Sequence, residues 1–329
     1  MTLLNQIFRF RFFVWFIKIC VTVFLFYYLY KNIFSTHFYE SLITYYSLIF
    51  SNYFVLVFLG LGTLTIVSIE ALKWKTVLKD KEILSWKSAV SSVLLGYTFS
   101  MFTPNRIGDY AGRVLYLQKT EKWNGVSLSL LCSYSQFASL LILGILGGVT
   151  YVLCFISITF YLTILLLSTA LVAIGLVLFI YFKTGYFIRK RIVNNAPKRW
   201  RNCIIVFSTA PKKQLAYLLF LSIIKFMITY LQYATLLTCC QVKFNIVIGF
   251  MLMMLQFIIQ ACVPSFAIAE LGVRGSIAVL VWNKTIAHAD ILVFATSMLW
   301  LFNLMLPSIL GIILFWFFRF NKKKLIPIL

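Results

Sequence analysis

The feature that most constrains this chain is the recurrence of apolar runs about 20 residues long, the length needed to cross the hydrocarbon core of a bilayer as a helix. Six stand out: 12–31, 46–69, 127–149, 158–182, 215–239 and 291–318. Only helices and closed barrels satisfy every backbone group inside lipid, and continuous runs of this length select helices. With 62% of the residues apolar and 12% charged, too little polar surface remains to cover a water-soluble fold. The expected fold is all-α: a single polytopic membrane domain over residues 1–329. The run at 12–31 follows Arg9 and Arg11, and no small-x-small cleavage site comes after it. It reads as an uncleaved first span.

Two further apolar stretches, 88–103 and 247–263, are shorter, and each runs into a polar bend. The first bend is Pro104-Asn105-Arg106-Ile107-Gly108-Asp109, followed by Arg113. The second begins at Pro264 and carries Glu270, Gly272 and Arg274.

Charge sets the orientation. The 30 Lys and Arg residues, against 8 Asp and Glu, lie mostly in short segments beside the spans. Segment 183–213 carries nine of them and no acid; the linker 70–87 and the C-terminal Arg319 and Lys322-Lys323-Lys324 are also basic. Under the positive-inside rule these segments and both termini face the cytoplasm of a plasma-membrane protein. Two full spans, 127–149 and 158–182, already return the chain from 70–87 to 183–213. Stretch 88–103 therefore has to enter and leave by one face. The same parity makes 247–282 re-entrant from the other face. The halves 45–182 and 214–318, joined by the basic linker 183–213, then form an inverted repeat, with broken helices of each half meeting near the midplane.

The bends concentrate the chemistry. Asp109 and Arg113 are four residues apart, as are Glu270 and Arg274, so each acid faces its arginine on a helix. Arg106 has no obvious local acid partner. With Asn105 and the start of a half-helix it is placed to hold a lipid phosphate. The candidate headgroup-binding residues are Asn105, Arg106, Asp109, Arg113, Glu270 and Arg274; Pro104, Gly108, Pro264 and Gly272 are expected to form the turns. Glu70 reads as an interfacial salt bridge beside Lys73. Trp74 and Trp86 read as interface anchors, Lys18 and Lys225 as snorkelling cations, and Gln136 and Gln256 as interhelical hydrogen-bonding groups.

Other chemistries find no support. The seven cysteines form no CxxC pair and the two histidines, His37 and His288, stand apart, so no metal site is expected. No Ser-His-Asp arrangement and no nucleotide-binding Gly loop occurs, so neither a cofactor nor enzymatic catalysis is expected. The basic excess belongs to lipid headgroups rather than to nucleic acid.

At Leu72-Lys73-Trp74, Leu95-Gly96-Tyr97, Pro104 through Asp109 with Arg113, and Pro264 with Glu270 and Gly272, the chain resembles the transmembrane flippase domain of lysylphosphatidylglycerol synthases, over roughly residues 45–318. Asp109 replaces the usual Glu of that family's first motif. Ser265-Phe266-Ala267-Ile268-Ala269 replaces the Gly-rich turn of its second. The resemblance implies a stand-alone member without the soluble aminoacyl-transferase domain. It implies movement of an anionic or aminoacylated phospholipid, or a polyprenyl-phosphate lipid, between leaflets. The alternatives are a scaffold for an envelope-lipid enzyme and an intramembrane enzyme on a lipid-linked substrate. A homo-oligomer is compatible with either.

Overall fold

The computed structural model describes residues 38–103, 106–191, 209–263, 267–286 and 288–321, together with Tyr27 and Ile205. The expected first span 12–31, Lys18, Asn105, the bend prolines Pro104 and Pro264, and the C-terminal lysines lie outside the described residues.

Within them every regular element is helical. A short helix α1 (Phe38–Phe50) leads into α2 (Tyr53–Leu78). Next come α3 (Trp86–Met101) and the seven-residue α4 (Gly108–Val114), then the long α5 (Lys122–Phe155) and α6 (Phe160–Arg191). The second half holds α7 (Lys212–Cys239), α8 (Ile246–Cys262), α9 (Ala267–Trp282), α10 (Ala289–Trp300) and α11 (Leu306–Asn321). A π-helical turn, Leu301–Met305, joins α10 to α11. Pro307 cannot donate to the carbonyl four residues back, and the widened turn absorbs that defect. Among the described residues, five helices are long and apolar enough to cross a membrane: Tyr53–Leu78, Lys122–Phe155, Phe160–Tyr186, Lys212–Cys239 and Ala289–Trp316. The chain is a polytopic helical membrane protein.

One span boundary differs from the sequence expectation. The run expected at 46–69 divides at Ser51-Asn52, and the spanning helix continues past Glu70 and Lys73 to Leu78. Glu70, Lys73 and Trp74 are buried inside the bundle, and the salt bridge expected between Glu70 and Lys73 forms there (3.1 Å). The helix tolerates these charges because they are paired inside the bundle, as described below.

Helices α2 and α7 form an antiparallel central pair. Gln232 Nε2 donates to the Leu59 carbonyl (2.8 Å), and Gln214 Nε2 donates to the Thr76 carbonyl (2.8 Å). A Cβ on Gly62 would lie 2.5 Å from Gln232 Nε2, so glycine admits this side chain. Asn303, presented by the π turn, donates to Gln232 Oε1 (2.7 Å) and accepts from the Thr63 hydroxyl (3.0 Å).

The two short helix pairs are hairpins, and each starts and returns at one end of the bundle. Helix α3 opens on Ser85, whose hydroxyl caps the Ser88 N–H (3.1 Å). Helix α4 folds back along it, with Gly112 against Leu95 and Gly96. The chain then returns to where it began. The Glu82 carboxylate, just before α3, accepts from the backbone N–H groups of Gln118 (3.1 Å), Lys119 (3.1 Å) and Thr120 (2.9 Å), just after α4. In the second hairpin Asn245 caps α8 through Val247 and Ile248. Phe244, before α8, meets the ring of Trp282 at the end of α9 (6.0 Å between centroids). The first hairpin is rooted at the C-terminal end of α2, and the second at the C-terminal end of α7. Since α2 and α7 are antiparallel, the roots lie at opposite ends of the bundle. Stretch 88–103 does not cross.

The halves also exchange contacts symmetrically. Helix α3 lies antiparallel to α11: the Thr98 hydroxyl donates to the Ser308 carbonyl (2.8 Å), and a Cβ on Gly311 would meet the Leu94 carbonyl oxygen at 2.3 Å. Helix α8 lies antiparallel to α5, where a Cβ on Gly147 would meet the Met251 carbonyl oxygen at 2.3 Å. In each case the leading helix of one hairpin lies against a glycine of the other half's long helix, the exchange an inverted repeat produces. Apolar clusters fill both ends. One is centred on Leu236, Met254 and Trp282, the other on Trp74, Leu131 and Leu218.

Burial opposes the charge on Glu82, but its three backbone donors outweigh that and hold its carboxyl below the usual carboxylate range. Because the folded-state value is depressed, the clasp contributes its full stability above the unfolded pKa of about 4.3 and loses it as pH falls through the lower folded value. Glu82→Gln is expected to destabilise the detergent-solubilised protein by about 1–3 kcal/mol at neutral pH. The gap to the unsubstituted protein should close on acidification below about pH 4. Identical melting curves at pH 7 would remove the clasp.

Candidate functional site

An ion pair joins the two hairpins. Arg106 Nη2 donates to Glu270 Oε1 at 2.7 Å, linking the residue just past the first bend to the first turn of α9. Arg106 is held at φ 58°, a left-handed conformation uncommon outside glycine. On α9, one helical turn on, Arg274 Nε donates to the same Glu270 oxygen (2.9 Å). Thus Arg106 pairs with an acid of the other half, while Asp109 on its own segment is engaged by Arg113.

A second cluster forms around Glu70 on α2. Lys73 Nζ (3.1 Å), Lys225 Nζ (2.8 Å) and Arg113 Nη2 (3.1 Å) all donate to its carboxylate. Arg113 Nε also donates to Asp109 Oδ1 (3.0 Å), the pair expected from the i, i+4 spacing. Lys225 reaches from α7 to Gln136 Oε1 on α5 as well (3.0 Å). Glu70 and Lys73 are almost fully buried, and four elements supply one network.

The two clusters line two adjoining lobes that share wall residues. The first, about 590 Å³, is walled by Glu70, Tyr97, Asp109, Arg113 and Tyr134. The second, about 640 Å³, is walled by Phe257, Gln260, Glu270, Arg274, Trp300 and Asn303. Arg106, Gln136 and Lys225 border both. Among the described residues, the lobes are lined by four cations (Arg106, Arg113, Lys225, Arg274) and three carboxylates (Glu70, Asp109, Glu270), a surplus of one positive charge; Lys73, fully buried, pairs with Glu70 behind the wall. Arg113 is 5% exposed, yet its Nη1 has no hydrogen-bond partner among the described residues.

The family model described as Lysylphosphatidylglycerol synthase TM region matches residues 15–311 of the chain. The chain belongs to that family. The match begins upstream of the resemblance seen from residue 45 and takes in most of the first apolar run. No curated protein and no solved structure matches the chain.

In this lysylphosphatidylglycerol synthase TM region the sequence candidates Arg106, Asp109, Arg113, Glu270 and Arg274 all border one cavity. Two turn assignments are corrected. Gly272 lies inside α9, and Gly108 opens α4 with no left-handed φ. Gly108 is needed for close approach, since a Cβ there would sit 2.1 Å from the Phe99 carbonyl oxygen. Its N–H donates to the Thr103 hydroxyl (2.7 Å), so this group at the helix start is engaged within the chain. Gln256 joins helices as expected, accepting from Trp282 Nε1 (3.1 Å).

Glu70, Lys73 and Lys225 carry more than sequence reasoning assigned them. Lys225 neither snorkels nor stands alone. A mid-span cation without an acid on its own helix was the available signal, since such a charge needs a partner across the bundle.

Glu70→Gln would leave Lys73, Arg113 and Lys225 facing one another with no central carboxylate. A loss of about 3–5 kcal/mol is expected, in the range for removing one partner of a buried pair. Adding Lys225→Met should recover part of it. The check is thermal unfolding in detergent; a single variant as stable as the unsubstituted protein would remove Glu70 from its central role.

Proposed function

We propose that the chain moves an anionic or aminoacylated phospholipid, or a polyprenyl-phosphate lipid, between leaflets, without chemical conversion. The observation that carries this reading is the two-lobed cavity between the opposed hairpins, whose lining holds one more cation than carboxylate. On insertion scales an unpaired Lys or Arg at membrane depth costs about 2.5–3.5 kcal/mol. A phosphate entering the cavity offsets that cost, and arginine offers it a planar two-pronged donor.

In this reading the headgroup binds in the lobe beside one hairpin and passes to the other across Arg106 and Lys225. The acyl chains stay in the lipid alongside. Arg106 exchanges its Glu270 partner for the phosphate as the headgroup passes. The left-handed backbone at Arg106 keeps the guanidinium at the bend, where both lobes reach it. The membership of a lipid-synthase membrane-region family is in keeping with a lipid ligand. The basic segments beside the spans favour a plasma-membrane location with cytoplasmic termini.

In vesicles reconstituted with the protein and a fluorescent phosphatidylglycerol, Arg106→Ala is expected to slow leaflet exchange at least about ten-fold, while melting stays within about 1 kcal/mol, as fits the loss of one partly exposed ion pair. Unchanged exchange would exclude the cavity route.

A further inference from the structure

We infer that the root of the first hairpin is a peripheral binding surface for anionic lipid, where the loop 79–87 and the segment 115–123 seat apolar side chains in the bilayer interface and lysines on headgroup phosphates. None of its residues borders either lobe, and the inference does not depend on the transport reading.

The apolar groups here are presented outward by fixed backbone. Ile83 is 91% exposed, in the loop between α2 and α3. Its neighbours Glu82 and Leu84 are buried, and the N–H groups of Gln118, Lys119 and Thr120 clasp the Glu82 carboxylate. A loop pinned on either side of Ile83 cannot fold that side chain inward. Trp86 and Trp123, each about half exposed, stand in the first turns of α3 and α5. The Lys75 ammonium lies 5.6 Å from the centre of the Trp86 ring. Segment 79–87 begins where the spanning α2 ends, and 115–123 runs into the spanning α5. Both therefore lie where spans leave the hydrocarbon, the depth at which tryptophan is favoured.

Charge decides which interface these groups fit. All five lysines of the two segments are exposed (Lys79, Lys81, Lys87, Lys119 and Lys122), against two exposed acids, Asp80 and Glu121. Glu82 adds no outward charge, because its backbone donors hold it inside. Lysines beside inserted apolar groups attract anionic headgroups, and each added lysine strengthens the attraction. The root of the second hairpin supplies the contrast. It too exposes an apolar pair, Ile246 and Val247, but segments 241–247 and 283–290 hold just two lysines, Lys243 and Lys284, together with Asp290. Apolar exposure is common to both roots; the lysine cluster belongs to the first.

The test uses the full-length chain in phosphatidylcholine nanodiscs, with the fluorescent residue dansylalanine in place of Ile83 or of Val247. Quenching by brominated phosphatidylglycerol is compared with quenching by brominated phosphatidylcholine at equal mole fraction. At position 83 the anionic lipid is expected to quench at least about three-fold more strongly at low salt. The difference should shrink in about 1 M salt, which screens charges beyond about 3 Å. Replacing all five lysines by Gln should make the two lipids quench position 83 alike, and Lys79→Gln with Lys81→Gln alone should give an intermediate ratio. Position 247 should be quenched equally by both lipids in every protein, and its unchanged emission reports that the variants fold. Equal quenching at position 83 by the two lipids, a preference that survives the lysine substitutions, or a preference as large at position 247 would each overturn the surface. Quenching at position 83 by aqueous iodide and by neither lipid would overturn it in favour of a water-borne acidic partner.

Discussion

A charge at membrane depth has to find its counter-charge within the protein, and Glu70 supplies one to three cations at once. Lys73 comes from its own helix, Arg113 from the first hairpin and Lys225 from the other half. This carboxylate therefore ties together the elements whose placement defines the cavity. Replacing it with an apolar group would leave three cations competing for Asp109 and Gln136. The hydrophobic clusters at either end hold helices side by side but do not specify which face of α7 turns inward. The Lys225–Glu70 contact does.

The second constraint is backbone approach. Glycines at 112, 147 and 311 place one helix backbone almost directly on another, where a methyl group would strike a carbonyl oxygen. In lipid, apolar burial no longer drives association, and close packing with interhelical hydrogen bonds takes over. Those contacts hold α3 on α11 and α8 on α5, so each hairpin is gripped by the opposite half. The two hairpins are thereby held together, and Arg106 is carried to within hydrogen-bond distance of Glu270.

The result is a polar site that is internally paired yet incompletely neutralised. Ion pairs fix its geometry, while the remaining positive charge is what the proposed anion binding rests on. A fully neutral network would have been a structural rivet. An unpaired set of arginines would have been too costly to bury. An intermediate balance suits a group that must bind and leave, and Arg106, with 41% of its side chain exposed, is the member freest to change partners.

Much of this was legible in the residue order. Run lengths and the basic segments dictated helical spans, and their parity required 88–103 to turn back. The i, i+4 spacing paired Asp109 with Arg113 and Glu270 with Arg274, because neighbours on a helix surface are set by chain geometry alone. Tertiary structure decided the rest. Arg106 and Glu270 are 164 residues apart, and Lys225 and Glu70 are 155 apart. No periodicity encodes which distant charge completes a pair. That choice depends on which helix faces meet, and those faces are selected by shape, by glycine contacts and by the demand that no ion in the bundle be left alone.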